Sequence, residues 1–134
     1  IFPTHSEFTN SERINQSRLQ AHAIEAAEQC GGTYVPKVHT ICKLIDTLEN
    51  WPEARNIFFC NEDNLKPIRN LSSFPNGAWA IFIGPEGGFS QNEKNHFLKH
   101  PKTFSVSLGP RILRADTAVV SALTLWQSNF GDWI

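Results

Sequence analysis

Ala78-Trp-Ala-Ile-Phe-Ile-Gly-Pro-Glu-Gly-Gly-Phe-Ser90 decides how this chain folds. Its apolar run, Ala78 to Ile83, shows no polar alternation, as expected for a strand covered on both faces in a parallel sheet. The run stops at Gly84-Pro85, passes through a glycine loop and meets Ser90, where a helix can open. Ser105-Val-Ser-Leu-Gly-Pro-Arg-Ile-Leu-Arg-Ala-Asp-Thr-Ala118 repeats the plan around Gly109-Pro110. A turn needs only one Gly or Pro, so the repeated pair points to two loops that approach one ligand.

Working outward, Ser90-x-x-Glu93 is a capping-box pattern that opens a helix stopping near His100-Pro101. Thr103 to Leu108 reads as a strand, and Thr117 to Phe130 as a final helix with Gly131 behind it. Upstream, Asn56-Ile-Phe-Phe-Cys60 is another short apolar strand, and Asn61 to Gly77 reads as a surface loop. Ile41, Leu44, Ile45 and Leu48 have helical spacing and end before Pro52. Tyr34 to Val38 reads as a short strand, with Pro36 placing it at an edge or strand end. Leu19, Ala23, Ala26, Ala27 and Cys30 predict a helix from about Ser11 to Cys30, stopped by Gly31-Gly32. Ile1-Phe2-Pro3 looks like the tail of a strand. The fold class is therefore α/β, a parallel sheet flanked by helices, in one domain spanning 1–134. Ligands of such sheets bind outside the carboxyl ends of the strands, where both Gly-Pro loops fall.

The 134 residues carry 12 basic and 13 acidic side chains, a net charge of -1, so a basic coat for nonspecific nucleic-acid binding is not indicated. Cys30, Cys42 and Cys60 form no C-x-x-C pair and read as buried free thiols. The five histidines show no metal-ligand pattern; His96 and His100 sit four apart without a third ligand and read as surface residues, so no metal is expected. No stretch reaches the apolar length that crosses a bilayer, and no basic-then-apolar leader is present, which predicts a soluble, cytoplasmic protein. The absence of methionine and the start at Ile1 lead us to expect an N-terminally truncated chain.

In Gly84-Pro85-Glu86-Gly87-Gly88 the glycines let a ligand lie against backbone N–H groups while Pro85 stiffens the turn. An adenine, a ribose or an amino-acid carboxylate would fit, and so would no ligand at all, the loop being only a tight strand-helix turn. It is neither a Walker phosphate cradle nor a G-x-G-x-x-G fingerprint. The second loop sets Arg111 and Arg114 three apart before a helix N-terminus that is already positive. Such a pair needs an anion or a developing negative charge nearby, or else an ion pair with Asp116, which could also cap the helix. No nucleophile stands out: Ser90 is explained by capping, and no G-x-S-x-G elbow exists. Binding with electrostatic catalysis is the better template.

Ile83-Gly-Pro-Glu-Gly-Gly-Phe-Ser90 with Glu93, Leu108-Gly-Pro-Arg-Ile-Leu-Arg114 and Thr117-Ala118 together resemble the 16S ribosomal RNA uridine-N3 methyltransferase family of the SPOUT class. Glu25-Ala-Ala-Glu-Gln-Cys-Gly31 with Val35-Pro36 is similar to a third motif of that family. The resemblance implies a C-terminal trefoil knot, an exception to the rule against knotted chains. It also implies S-adenosylmethionine as cofactor, a homodimer, 16S rRNA within the 30S subunit as partner, and an N-terminal PUA-like domain that is absent here. Carried over by position, cofactor contacts fall on Phe59 and Cys60, on Ile83, Gly84, Pro85, Glu86, Gly87 and Gly88, on Leu108, Gly109, Ile112 and Leu113, and on Thr117, with Asn61 and Glu62 at the same edge. Gly32 stands where many relatives carry a basic residue, and Asp116 where Glu is common.

Uridine N3 must lose a proton, and the negative charge then spreads over the flanking carbonyl oxygens. The resemblance assigns Arg114, with Arg111 as second choice, to stabilise that anion, and Glu86 or Glu62 to accept the proton. Two other readings predict different behaviour: a catalytically inactive cofactor-binding and dimerisation module, and an unrelated α/β nucleotide-binding protein. Trp126, Phe130 and Trp133 either form a dimer seam or fill the core.

Overall fold

The structure is a computed structural model that describes residues 1–10, 13–63 and 71–133. In chain order the elements are β1 (Thr4–His5), α1 (Gln16–Cys30), β2 (Cys42–Lys43), α2 (Leu44–Glu49), β3 (Arg55–Cys60), a 3-10 turn (Leu71–Ser73), β4 (Ala78–Phe82), α3 (Gln91–Lys99), β5 (Thr103–Val106) and α4 (Ala115–Phe130). All pairings are parallel: β1 with β2, and a three-stranded sheet in the order β4-β3-β5. Central β3 sets the register, Phe59 standing opposite Phe82 on one side and Ser105 on the other. Among the described residues, no helix is long and apolar enough to cross a membrane.

Side chains alternate across a strand, so the unbroken apolar run of β3 feeds two cores. Ile57 and Phe59 face Leu44, Leu48, Phe89 and Phe97, and the Phe59 and Phe97 rings stack at 4.1 Å. Phe58 points the other way, into Leu71, Val106 and Ala122. Trp126 and Phe130 pack against this second layer from α4, whereas Trp133 is exposed. The C-terminal aromatic residues thus divide between core and surface.

Local chemistry sets the helix ends. Asn15 caps α1 by accepting the Arg18 N–H at 2.9 Å, so the helix starts at Gln16 and not near Ser11, which lies outside the described residues. At the other end the Gly32 N–H reaches the Ala27 carbonyl at 2.8 Å, closing the helix as the paired glycines predict. The expected α3 capping box is present in full between Ser90 and Glu93.

Other expectations are corrected. Tyr34 to Val38 forms no strand, because its backbone is engaged by glutamines of α1: Gln20 Oε1 accepts the Val38 N–H at 2.8 Å, and Gln16 Nε2 donates to the Val38 carbonyl at 2.8 Å. The helix expected around Ile41 is confined to Leu44–Glu49, since Cys42 and Lys43 pair with β1. Asp116 does not cap α4. Arg114 occupies the N-cap position without a side-chain bond, and Asp116 Oδ1 accepts the Thr117 N–H at 2.7 Å from inside the first turn. Cys30 is exposed, not buried. Of the expected surface loop, 64–70 lies outside the described residues, while Leu71 is buried in the second core.

Candidate functional site

From β3 the chain moves to one neighbour as β4 and then crosses to the other side as β5. The loops after β4 and β5 therefore flank the carboxyl end of the central strand, the position at which open parallel sheets bind ligands. A cavity of about 310 Å³ lies there. Ile83, Gly84, Pro85, Gly88 and Phe89 form one wall and the loop from Val106 to Leu113 another. Cys60, Asn61 and Glu62 supply the floor from β3, Lys94 enters from α3, and Ala115 and Ala118 close the side from α4.

The backbone is shaped for close approach at two glycines. Gly88 has φ 70°, and a Cβ built there would stand 2.5 Å from Glu62 Oε1, so any side chain would be strained and would evict the carboxylate. Gly109 has φ 121°, a conformation that side chains rarely adopt, and its N–H donates to Ser107 Oγ at 3.3 Å. The end of β3 is held by Asn61, whose N–H donates to the Val106 carbonyl at 2.9 Å and whose Oδ1 accepts the Asp63 N–H at 3.1 Å.

Charge is unevenly distributed around the cavity. Lys94 Nζ lies 2.6 Å from Asp63 Oδ2 and 3.6 Å from Glu62 Oε1, with only 12% of its side chain exposed. Burial works to lower its pKa, but the hydrogen bond and charge of Asp63, joined by Glu62, outweigh burial and hold it above its usual value. Burial pushes the Cys60 thiol up to about 12, so it stays protonated and is no nucleophile at neutral pH. Arg111 is exposed yet lines the cavity. Arg114 does not; its side chain is 84% exposed and stands 3.7 Å from Asp116, the local ion pair that the sequence allowed.

The structure thus brings Cys60, Ile83, Gly84, Pro85, Gly88, Leu108, Gly109, Arg111, Ile112 and Leu113 around one space. It does not bring Phe59, Glu86, Gly87, Arg114 or Thr117 into the wall. Phe59 is fully buried in the first core, Gly87 faces Phe8, and Glu86 and Thr117 are exposed. Sequence reasoning missed Lys94, whose carboxylate partners lie some thirty residues earlier with no spacing rule to connect them. It also missed Ser107 and Phe89, which read only as strand and helix-entry residues.

A model of the RNA methyltransferase domain matches residues 1–127. The chain belongs to this family. Among similar proteins is the ribosomal RNA small subunit methyltransferase E of Buchnera aphidicola subsp. Schizaphis graminum, 46% identical over 138 residues, covering 98% of this chain and 55% of the relative. Its counterpart in Rickettsia conorii is 31% identical over 126 residues, covering 92% and 51%. The chain spans about half the length of the curated relatives it matches. Two solved structures share the fold of this RNA methyltransferase domain. The ribosomal RNA small subunit methyltransferase E of Neisseria gonorrhoeae, bound to S-adenosylmethionine, superposes with a TM-score of 0.83 at 28% identity, covering 98% of this chain and 55% of that one. A Legionella pneumophila protein in complex with the same cofactor gives 0.80 at 28% identity, with the same coverage.

Proposed function

We propose that this chain is the methyltransferase domain of an S-adenosylmethionine-dependent enzyme that methylates N3 of a uridine in 16S rRNA of the 30S subunit, a substrate that implies the cytoplasm. The observation that carries this reading is the convergence of both Gly-Pro loops on one cavity, in a chain similar to proteins whose solved structures hold that cofactor. The residues present fit such a ligand. A cavity of about 310 Å³ has the size of a small-molecule site, and glycine backbone alternates with the apolar Ile83, Leu108 and Leu113 along its walls.

When bound, the cofactor supplies an electrophilic methyl group on a sulfonium. The chain's own residues do the rest. Ile83, Leu108 and Leu113 keep water from the cavity, and Gly88 and Gly109, which carry no side chains, leave room in its lining for the ligand. Arg111, in the cavity wall, offers the positive charge that stabilises uracil after N3 loses its proton. Arg114, exposed at the neighbouring helix start, is the second candidate. Glu86, exposed on the first loop outside the wall, is the candidate to accept the proton from a uridine approaching the mouth of the cavity, and Glu62, in the wall with Lys94, is the alternative.

The same reading includes a homodimer and a C-terminal trefoil knot within one domain. Val119, Val120 and Leu123 of α4 are exposed, as is Ile112 of the preceding loop, and a partner subunit seated on α4 would cover them. The test is transfer of labelled methyl from S-adenosylmethionine to isolated 30S subunits, followed by mass spectrometry of the nucleosides. The expected product is N3-methyluridine in 16S rRNA; label on another base, or in protein, overturns the reading.

A further inference from the structure

Lys94 stands outside every sequence motif, yet it is the one ammonium in the wall of the cavity among the described residues. Its charge is met by two carboxylates from consecutive residues at the exit of β3, Asp63 at 2.6 Å and Glu62 at 3.6 Å. Consecutive carboxylates repel, and without a cation both would turn to solvent. Glu62 keeps 38% of its side chain exposed, yet its Oε1 fills the space that a Gly88 side chain would need. Four parts of the fold thus meet at one carboxylate: the end of β3, the glycine loop, α3 and the cavity.

We infer that Lys94 is a positioning residue: it holds Glu62 in the cavity wall as a fixed acceptor for hydrogen-bond donors on the nucleoside part of the cofactor. This rests on the reading of the cavity as a cofactor site. The corner carries one ammonium against two carboxylates, so its charge is compensated only in part, and an acceptor there suits the hydroxyl and amino groups of a nucleoside better than a carboxylate or phosphate. Because those donors are the same in S-adenosylmethionine and in the neutral product S-adenosylhomocysteine, both ligands depend on the lysine alike. A direct charge effect on the sulfonium predicts something different. Removing Lys94 would leave the corner more negative and strengthen the cationic ligand relative to the neutral one.

Calorimetric titration of both ligands into the wild type, Lys94→Met, Lys94→Arg and Glu62→Gln separates these cases, with thermal unfolding recorded for each. Losing a hydrogen bond to a charged group predicts that Lys94→Met weakens both ligands in parallel, by about tenfold or more. Glu62→Gln is expected to weaken both as well, and Lys94→Arg to restore most of the affinity by keeping the cation. Unchanged affinity in Lys94→Met with a lowered melting temperature would show a purely structural lysine and overturn the inference. A loss confined to one ligand, or unchanged binding in Glu62→Gln, overturns it too. A wild type that binds neither ligand overturns the cofactor reading itself, and the inference with it.

Discussion

Glu93 Oε1 accepts the Glu7 N–H at 2.8 Å, joining residues 86 apart in the chain. The other oxygen of the same carboxylate accepts the Ser90 N–H at 2.8 Å, so a buried side chain caps α3 and fastens the N-terminal segment beside the first loop. Both oxygens act as acceptors, which an amide cannot reproduce. Glu93→Ala loses the cap and leaves two backbone donors without their acceptor, and an unfolding titration should show a loss of about 2–4 kcal/mol. Glu93→Gln is expected to fall between the two, because its NH₂ group must face a donor.

Gly88→Ala should leave the chain folded but damage the cavity. The left-handed backbone at this residue costs about 1–2 kcal/mol for an L side chain. The added methyl would also collide with Glu62, which has to move out of the wall. Calorimetry should therefore show a larger loss of cofactor affinity than of stability. Equal affinity would mean that the glycine serves the turn alone.

The two arginines should separate by kinetics. Arg111 lines the cavity, whereas Arg114 is exposed and paired with Asp116. Arg111→Ala is expected to lower kcat by about a hundredfold or more, the usual scale for removing one charge-stabilising group, with cofactor affinity little changed. Arg114→Ala is expected to act mainly on KM for the ribosomal substrate. Single-turnover methylation of 30S subunits measures both, and the reverse pattern would restore Arg114 as the charge-stabilising group.

Cys60 gives a pH signature. Its thiol is raised by burial from an ordinary 9.0 to about 12, so between those values the folded protein keeps a proton that the unfolded chain has released. The contribution to stability is complete below pH 9.0 and is lost as pH rises towards 12. The urea midpoint of the wild type should fall more steeply over this range than that of Cys60→Ala. At neutral pH, iodoacetamide followed by peptide mapping should label exposed Cys30 and spare Cys60 until the protein unfolds.

The parts of this fold legible in the sequence are those fixed by local rules. The apolar run of β3, the capping box at Ser90 and the Gly-Pro stops after β4 and β5 each carry their cause within a few residues. Tyr34 to Val38 misled because its β-type composition says nothing of its partners, and Gln16 and Gln20 take its backbone bonds before any strand can. The pairing of Thr4–His5 with Cys42–Lys43 is too short to leave a periodic signal. In the site, Gly84, Gly88 and Gly109 were legible through conformation, whereas charge pointed first to Arg114, which lies outside the cavity wall, and only second to Arg111, which lines it. Lys94 was not, since only the crossover from β4 to β5 brings α3 alongside the end of β3.

The central claim is that the loops after β4 and β5 bind one molecule together. Titrating ¹⁵N-labelled protein with S-adenosylmethionine and following the amide signals of Gly84, Gly88, Gly109 and Leu113 tests it most directly. The account predicts that all four shift along a single binding curve. Shifts confined to one loop, or none in either, would contradict it.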